Sequence, residues 1–159
     1  MSHTESEKIL MLAIEVNSLL SRYVQLHDEC FKFSWRRVIP IPGLFKAIEF
    51  GKLQSQARKI ADALDLCARK AISLTTNTPQ ERNFVDLMGK YIAALKATIE
   101  KLSGILAALD AKTDDIISSK YSSSRYNSDV AAYDKLVAEY TELGDRLNES
   151  MNRLRASYR

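Results

Sequence analysis

Apolar residues recur at alternating spacings of three and four in four separate stretches of this chain. The first runs through Ile9, Leu12, Val16, Leu19, Tyr23, Leu26, Cys30 and Phe33, and the second through Phe50, Leu53, Ala57, Ile60, Leu64, Cys67, Ala71 and Leu74. The third takes Phe84, Met88, Tyr91, Leu95, Thr98, Leu102, Ile105 and Leu109. The fourth takes Val130, Tyr133, Val137, Tyr140, Gly144, Leu147, Met151, Leu154 and Tyr158. A mean spacing of about 3.5 residues is the seam of supercoiled helices. Further apolar residues beside the seams, such as Leu20, Val24, Ile92 and Leu143, widen each stripe beyond what a two-stranded coil needs and towards what a multi-helix bundle buries.

The punctuation between these stretches agrees with their period. Thr78-Pro79-Gln80-Glu81 joins an N-cap hydroxyl, a proline at the first helical position and a capping-box glutamate, and so predicts a helix start. Thr4 and Glu7 form a similar start for the first stretch. Pro40, Pro42 and Gly43 interrupt the first junction, and a serine-rich run from Ser118 to Ser128 interrupts the last. The expectation is an all-α protein, one domain over residues 1–159, with helices over about 5–35, 44–75, 79–117 and 128–157. Connectors this short make sequential helices antiparallel neighbours, which predicts an up-down-up-down four-helix bundle with left-handed, coiled-coil-like packing.

Composition changes this picture little. With 159 residues and 46% hydrophobic content the chain can bury a core without metals or disulfides. Five Gly and three Pro suit long helices. Cys30 and Cys67 fall on seams too far apart along a hairpin to be joined, on the order of 25 Å against a limit near 7 Å, so both are expected as free, buried thiols. The acids at Glu5 and Glu7 and the brevity of the first apolar run, Ile9 to Ile14, argue against a signal peptide or a membrane span. The chain therefore reads as cytoplasmic, or peripheral to a membrane.

Candidate chemistry is sparse. Arg22 and His27 are spaced as in the arginine-x4-histidine motif, a feature that resembles small helical nucleases of the HEPN class and that would imply ribonuclease activity. Five residues along a helix rotate two side chains about 140° apart, which sets Arg22 and His27 on opposite shoulders of the seam and favours two seam-flanking polar residues. A di-metal carboxylate site needs inward Glu-x-x-His pairs, and Val24 stands three before His27. No catalytic set, metal or cofactor is expected. Counting across the hairpins brings Tyr23, Ala57, Thr98 and Gly144 to one height, where one large ring faces three small residues. That is ordinary large-to-small core packing, with an internal small-molecule pocket as the lesser reading.

Charge then singles out one end. From Cys30 to Ile48 there are four cations and no acid, and from Ser118 to Ser128 two cations and no acid. Up-down topology puts both connectors at the same end, which carries +6 and leaves −3 for the rest of a chain whose net charge is +3. Between those cations stand Trp35, Val38, Ile39, Ile41, Leu44 and Phe45. Such an apolar connector either folds back as a plug or forms a docking tip. The expected binding residues are Trp35, Arg36, Arg37, Ile39, Ile41, Leu44, Phe45 and Lys46 of the first connector with Lys120, Tyr121, Arg125 and Tyr126 of the second. Trp, Tyr and Arg dominate protein hot spots, so the first expectation is a non-enzymatic protein-interaction module. An anionic membrane surface would accept the same residues and is the alternative partner. Nucleic acid is not expected, because no helix carries a basic stripe. The sequence leaves a homo-oligomer open.

Overall fold

The computed structural model describes residues 4–31, 49–114 and 122–159. Among them it contains four helices and no strand: α1 (Glu5–Phe31), α2 (Phe50–Ser73), α3 (Pro79–Asp114) and α4 (Ser123–Ser157). Helix–helix contacts give the form of a helical bundle in which α2 and α4 both pack along α3, while α1 packs on α2 and more sparsely on α3.

Local chemistry explains the helix starts. At α1 the Glu7 N–H donates to Thr4 Oγ1 and the Thr4 N–H donates back to Glu7 Oε2, at 3.3 and 2.8 Å. At α3 the reciprocal pair is Glu81 N–H to Thr78 Oγ1 and Thr78 N–H to Glu81 Oε2. Both capping boxes satisfy N–H groups that a helix start otherwise leaves unpaired. α4 starts at Ser123, ahead of the expected 128, because Ser122 serves as its cap and accepts from the Arg125 N–H at 3.1 Å. Serine is a strong N-cap as well as a loop former, and here capping wins. The expected extension of α1 to 35 and the start of α2 at 44 fall outside the described residues.

The core follows the apolar stripes closely in three helices. In α1 every seam residue from Ile9 to Cys30 is buried, as is every one from Phe50 to Ala71 in α2. α3 buries its whole seam and a second stripe of Leu87, Ile92, Ile99 and Leu106, because it has neighbours on more than one side. Burial of each large aliphatic chain contributes about 1.5–3 kcal/mol. α4 differs: Val130, Tyr133, Leu147 and Leu154 are buried, while Val137, Tyr140 and Met151 are only half-buried and Tyr158 is exposed. Val24, expected beside the α1 seam, is also exposed.

Ion pairs mark which parts of the helices meet. Glu15 of α1 meets Lys70 of α2 at 2.6 Å, and Glu5 accepts from the Thr75 N–H. Asp65 of α2 meets Lys96 of α3 at 2.7 Å, and Lys101 of α3 meets Asp129 of α4 at 2.8 Å. Exposed pairs of this kind add at most about 1 kcal/mol each, so they report register more than they set stability. Cys30 and Cys67 are free and buried, as expected.

Candidate functional site

Two contacts locate the end of α1 and the start of α2. Phe31, the last residue of α1, stacks on Tyr133 of α4 with ring centroids 5.7 Å apart. At the start of α2, a methyl on Gly51 would lie 3.4 Å from Asp110 Oδ2 of α3. Phe31 therefore lies against α4 about ten residues in from its start, and Gly51 lies against the last turns of α3. Trp35, Arg36, Arg37, Ile39, Ile41, Leu44, Phe45, Lys46, Lys120 and Tyr121 lie outside the described residues. Arg125 and Tyr126 lie within them, in the first turn of α4. Arg125 is exposed and has no ion-pair partner among the described residues, whereas Tyr126 is half-buried and packs against the core.

A cluster of aromatic and polar groups joins the C-terminal part of α1 to α4. The Tyr23 and Tyr133 hydroxyls are 2.5 Å apart, and the Tyr133 hydroxyl lies 2.6 Å from His27 Nδ1. Tyr140 meets the Tyr23 ring edge-on at 5.8 Å, and His27 packs against Phe31 at 4.7 Å. Burial pushes the Tyr23, Tyr133 and Tyr140 hydroxyls above the usual phenol range and lowers the basicity of His27, with Asp28 and Asp134 acting against that shift. These phenols stay protonated at neutral pH, and the imidazole is biased towards its neutral form. Cys30 is pushed up to about 12 by burial, so it is a packed thiol rather than a nucleophile.

Arg22 is exposed, while His27 turns inward to Tyr133. The expected layer of Tyr23, Ala57, Thr98 and Gly144 is corrected at α4. Tyr133 and Tyr140 face Tyr23, and Gly144 lies beside Tyr91, where a methyl would come within 3.2 Å of Cε2. Tyr23 is 1% exposed, so no cavity opens around its ring. Counting symmetrically across connectors fails because they differ in length, which slides α4 along its neighbours.

The seam period places Tyr23 and Tyr133 inward without revealing that they meet. The available signal was that an inward phenol needs a partner, and His27 sits on the matching shoulder of α1. Among the described residues no group of three His, Cys, Asp or Glu side chains is placed to hold a metal ion. No protein-family model, curated protein or solved structure matches this chain.

Proposed function

We propose that the chain is a protein-interaction module, an antiparallel up-down-up-down bundle with heptad seams that docks through its basic, aromatic end. The observation that carries this reading is that α1 ends against α4 and α2 begins against the last turns of α3, Phe31 with Tyr133 and Gly51 with Asp110. It supports gathering six cations and an acid-free aromatic segment on one surface. The order of the cross-helix pairs supports the antiparallel arrangement, since Glu5 and Glu15 meet Thr75 and Lys70 in reversed order.

A second reading is binding to an anionic membrane, whose headgroups attract the same connector cations. Among the described residues one helix, α1, is long and apolar enough by length and composition to cross a membrane.

The test is a pull-down from the source cells beside co-sedimentation with neutral and anionic vesicles. It uses wild type, an Arg36→Glu, Arg37→Glu variant, and an Arg58→Glu, Lys59→Glu control on the exposed face of α2. A partner lost by more than about tenfold in the first variant and kept by the control is the expected result for a hot spot. Vesicle binding lost in the first variant, and weakened by salt on the scale of a Debye length of about 8 Å, would replace it with the membrane reading. If the first variant equals wild type in both assays, the tip is not the docking surface.

A further inference from the structure

Besides its buried seam, α1 carries a second stripe at the same spacing. Met11, Ile14, Ser18, Ser21 and Gln25 follow one another at alternating steps of three and four, and every one of them is exposed. Met11 and Ile14 are 53% and 70% exposed, and 33% of the most apolar stretch of the helix is buried. Within the chain α1 packs on α2 and α3 through its buried seam, and towards α4 it borders a cleft with Ala13 and Leu20. The outward stripe meets none of these helices. A face of this period is the face that a second helix fits.

The charges beside the stripe decide which helix. Lys8, Glu15, Arg22 and Glu29 follow at steps of seven, so they run down one edge of the stripe and alternate in sign. Such a row is complementary to itself when reversed. Against an antiparallel second copy of α1, Lys8 faces Glu29 and Glu15 faces Arg22, each pair occurring twice across a twofold axis. A slide of one heptad either way sets Glu15 on Glu15 or Arg22 on Arg22, and a slide of two leaves about half the helix unmatched. A parallel copy would bring the row against Leu10, Asn17 and Val24 on the other edge, where no charge answers it. Arg22 and Glu29 have no ion-pair partner among the described residues. Glu15 binds Lys70, and a carboxylate has about four acceptor sites, so it can take the second cation as well.

Near the axis stand Ser18 and Ser21, whose small side chains let the two backbones approach. Leu66 of α2, 54% exposed, lies one turn before Lys70 and therefore on the charged edge of α1, where a second copy covers it.

We propose that the outward face of α1 binds a second copy of this chain, antiparallel, with the Lys8–Glu29 and Glu15–Arg22 pairs fixing the register. This face is separate from the basic end, and either can fail without the other.

The test is sedimentation equilibrium of the full chain from about 10 μM to about 1 mM, with helicity followed by circular dichroism. A monomer–dimer equilibrium is expected. Glu29→Lys should weaken the dimer about tenfold, because two attractive pairs become two repulsive ones. Lys8→Glu should do the same, and the two substitutions together should restore the wild-type constant. That rescue reads the register, which a change in monomer stability would not mimic. Ile14→Asp changes an exposed position, so it leaves the fold intact, and it should weaken the dimer by about tenfold. A monomer at every concentration overturns the proposal, as does a dimer of full affinity in Ile14→Asp or a double variant no tighter than the single ones. Binding of a monomeric chain to phosphatidylcholine vesicles, lost in Ile14→Asp, would assign the face to a membrane instead.

Discussion

Tyr133 holds two polar groups of α1 at once, the Tyr23 hydroxyl and His27 Nδ1. Removing its hydroxyl leaves both without that partner in a buried setting, at a cost of about 1–3 kcal/mol. Tyr133→Phe is therefore expected to lower the unfolding free energy, read from a urea titration, by that amount, with little change in helicity. The chain of bonds survives in either proton order. His27 can accept from Tyr133 while Tyr23 donates to Tyr133, or His27 can donate and both hydroxyls turn round. Its pH dependence thus comes from burial, which lowers the folded-state pKa of His27. The unfolded chain binds the proton more readily, so the full contribution is present above the unfolded value near 6.5 and is lost as pH falls through the lower folded value. Urea midpoints measured from pH 7.5 down to 5 should fall in wild type and stay flatter in His27→Gln. A wild-type curve no steeper than that of the variant would show that His27 is not responsible. Tyr23 and Tyr133 were legible as seam residues, but their pairing was not, because it joins positions 110 apart.

At the scale of elements, α3 is the spine and α1 the loosest member. Buried neighbours lie against α3 from α2 and α4, whereas α1 leaves Met11, Ile14 and Val24 exposed. Opening free energy follows such differences in burial. Backbone amides of α1 should exchange with deuterium faster than those of α3, and equal protection along both would contradict a loosely held α1. The seams themselves are tested at their centres. Leu64 is fully buried and Leu102 is 1% exposed, so Leu102→Asp or Leu64→Asp puts an unpaired charge where it has no partner, and unfolding is expected. A soluble, fully helical Leu102→Asp protein by circular dichroism would remove Leu102 from the core. Three helix stripes were readable because period and caps are local. The early start of α4 was not, since serine suits a cap and a loop equally well.

Across the whole molecule, three helices are tied together by one buried carboxylate. Glu81 is 1% exposed. Its Oε1 accepts from the Ser6 and Tyr158 hydroxyls, each at 2.8 Å, and its Oε2 accepts from the Asn77 and Thr78 N–H groups at 2.7 and 3.2 Å. The start of α1, the start of α3 and the residue that caps the end of α4 thus meet on a single side chain. Burial alone would raise the Glu81 pKa, and the donated hydrogen bonds outweigh it, so the carboxyl titrates below its usual range. Its contribution is present above the unfolded value near 4.5 and is lost as pH falls through the lower folded value. Glu81→Ala should cost about 2–4 kcal/mol at pH 7, combining a lost cap with stranded hydroxyls, and Glu81→Gln should cost less and unfold with a shallower acid limb. Urea titrations between pH 3 and 7 would show it, and an unchanged acid limb in Glu81→Gln would refute the assignment. By itself the sequence determined the four helices, the inward stripes of α1, α2 and α3, the capping boxes at Thr4 and Thr78 and the two buried thiols, because spacing and capping depend on residues a few positions apart. Tertiary structure alone decided the register of α4, the Tyr23–Tyr133–His27 contact, the triple role of Glu81 and the open side between α1 and α4. Those depend on which distant side chains meet, and a periodic stripe fits its neighbours at several registers until packing selects one.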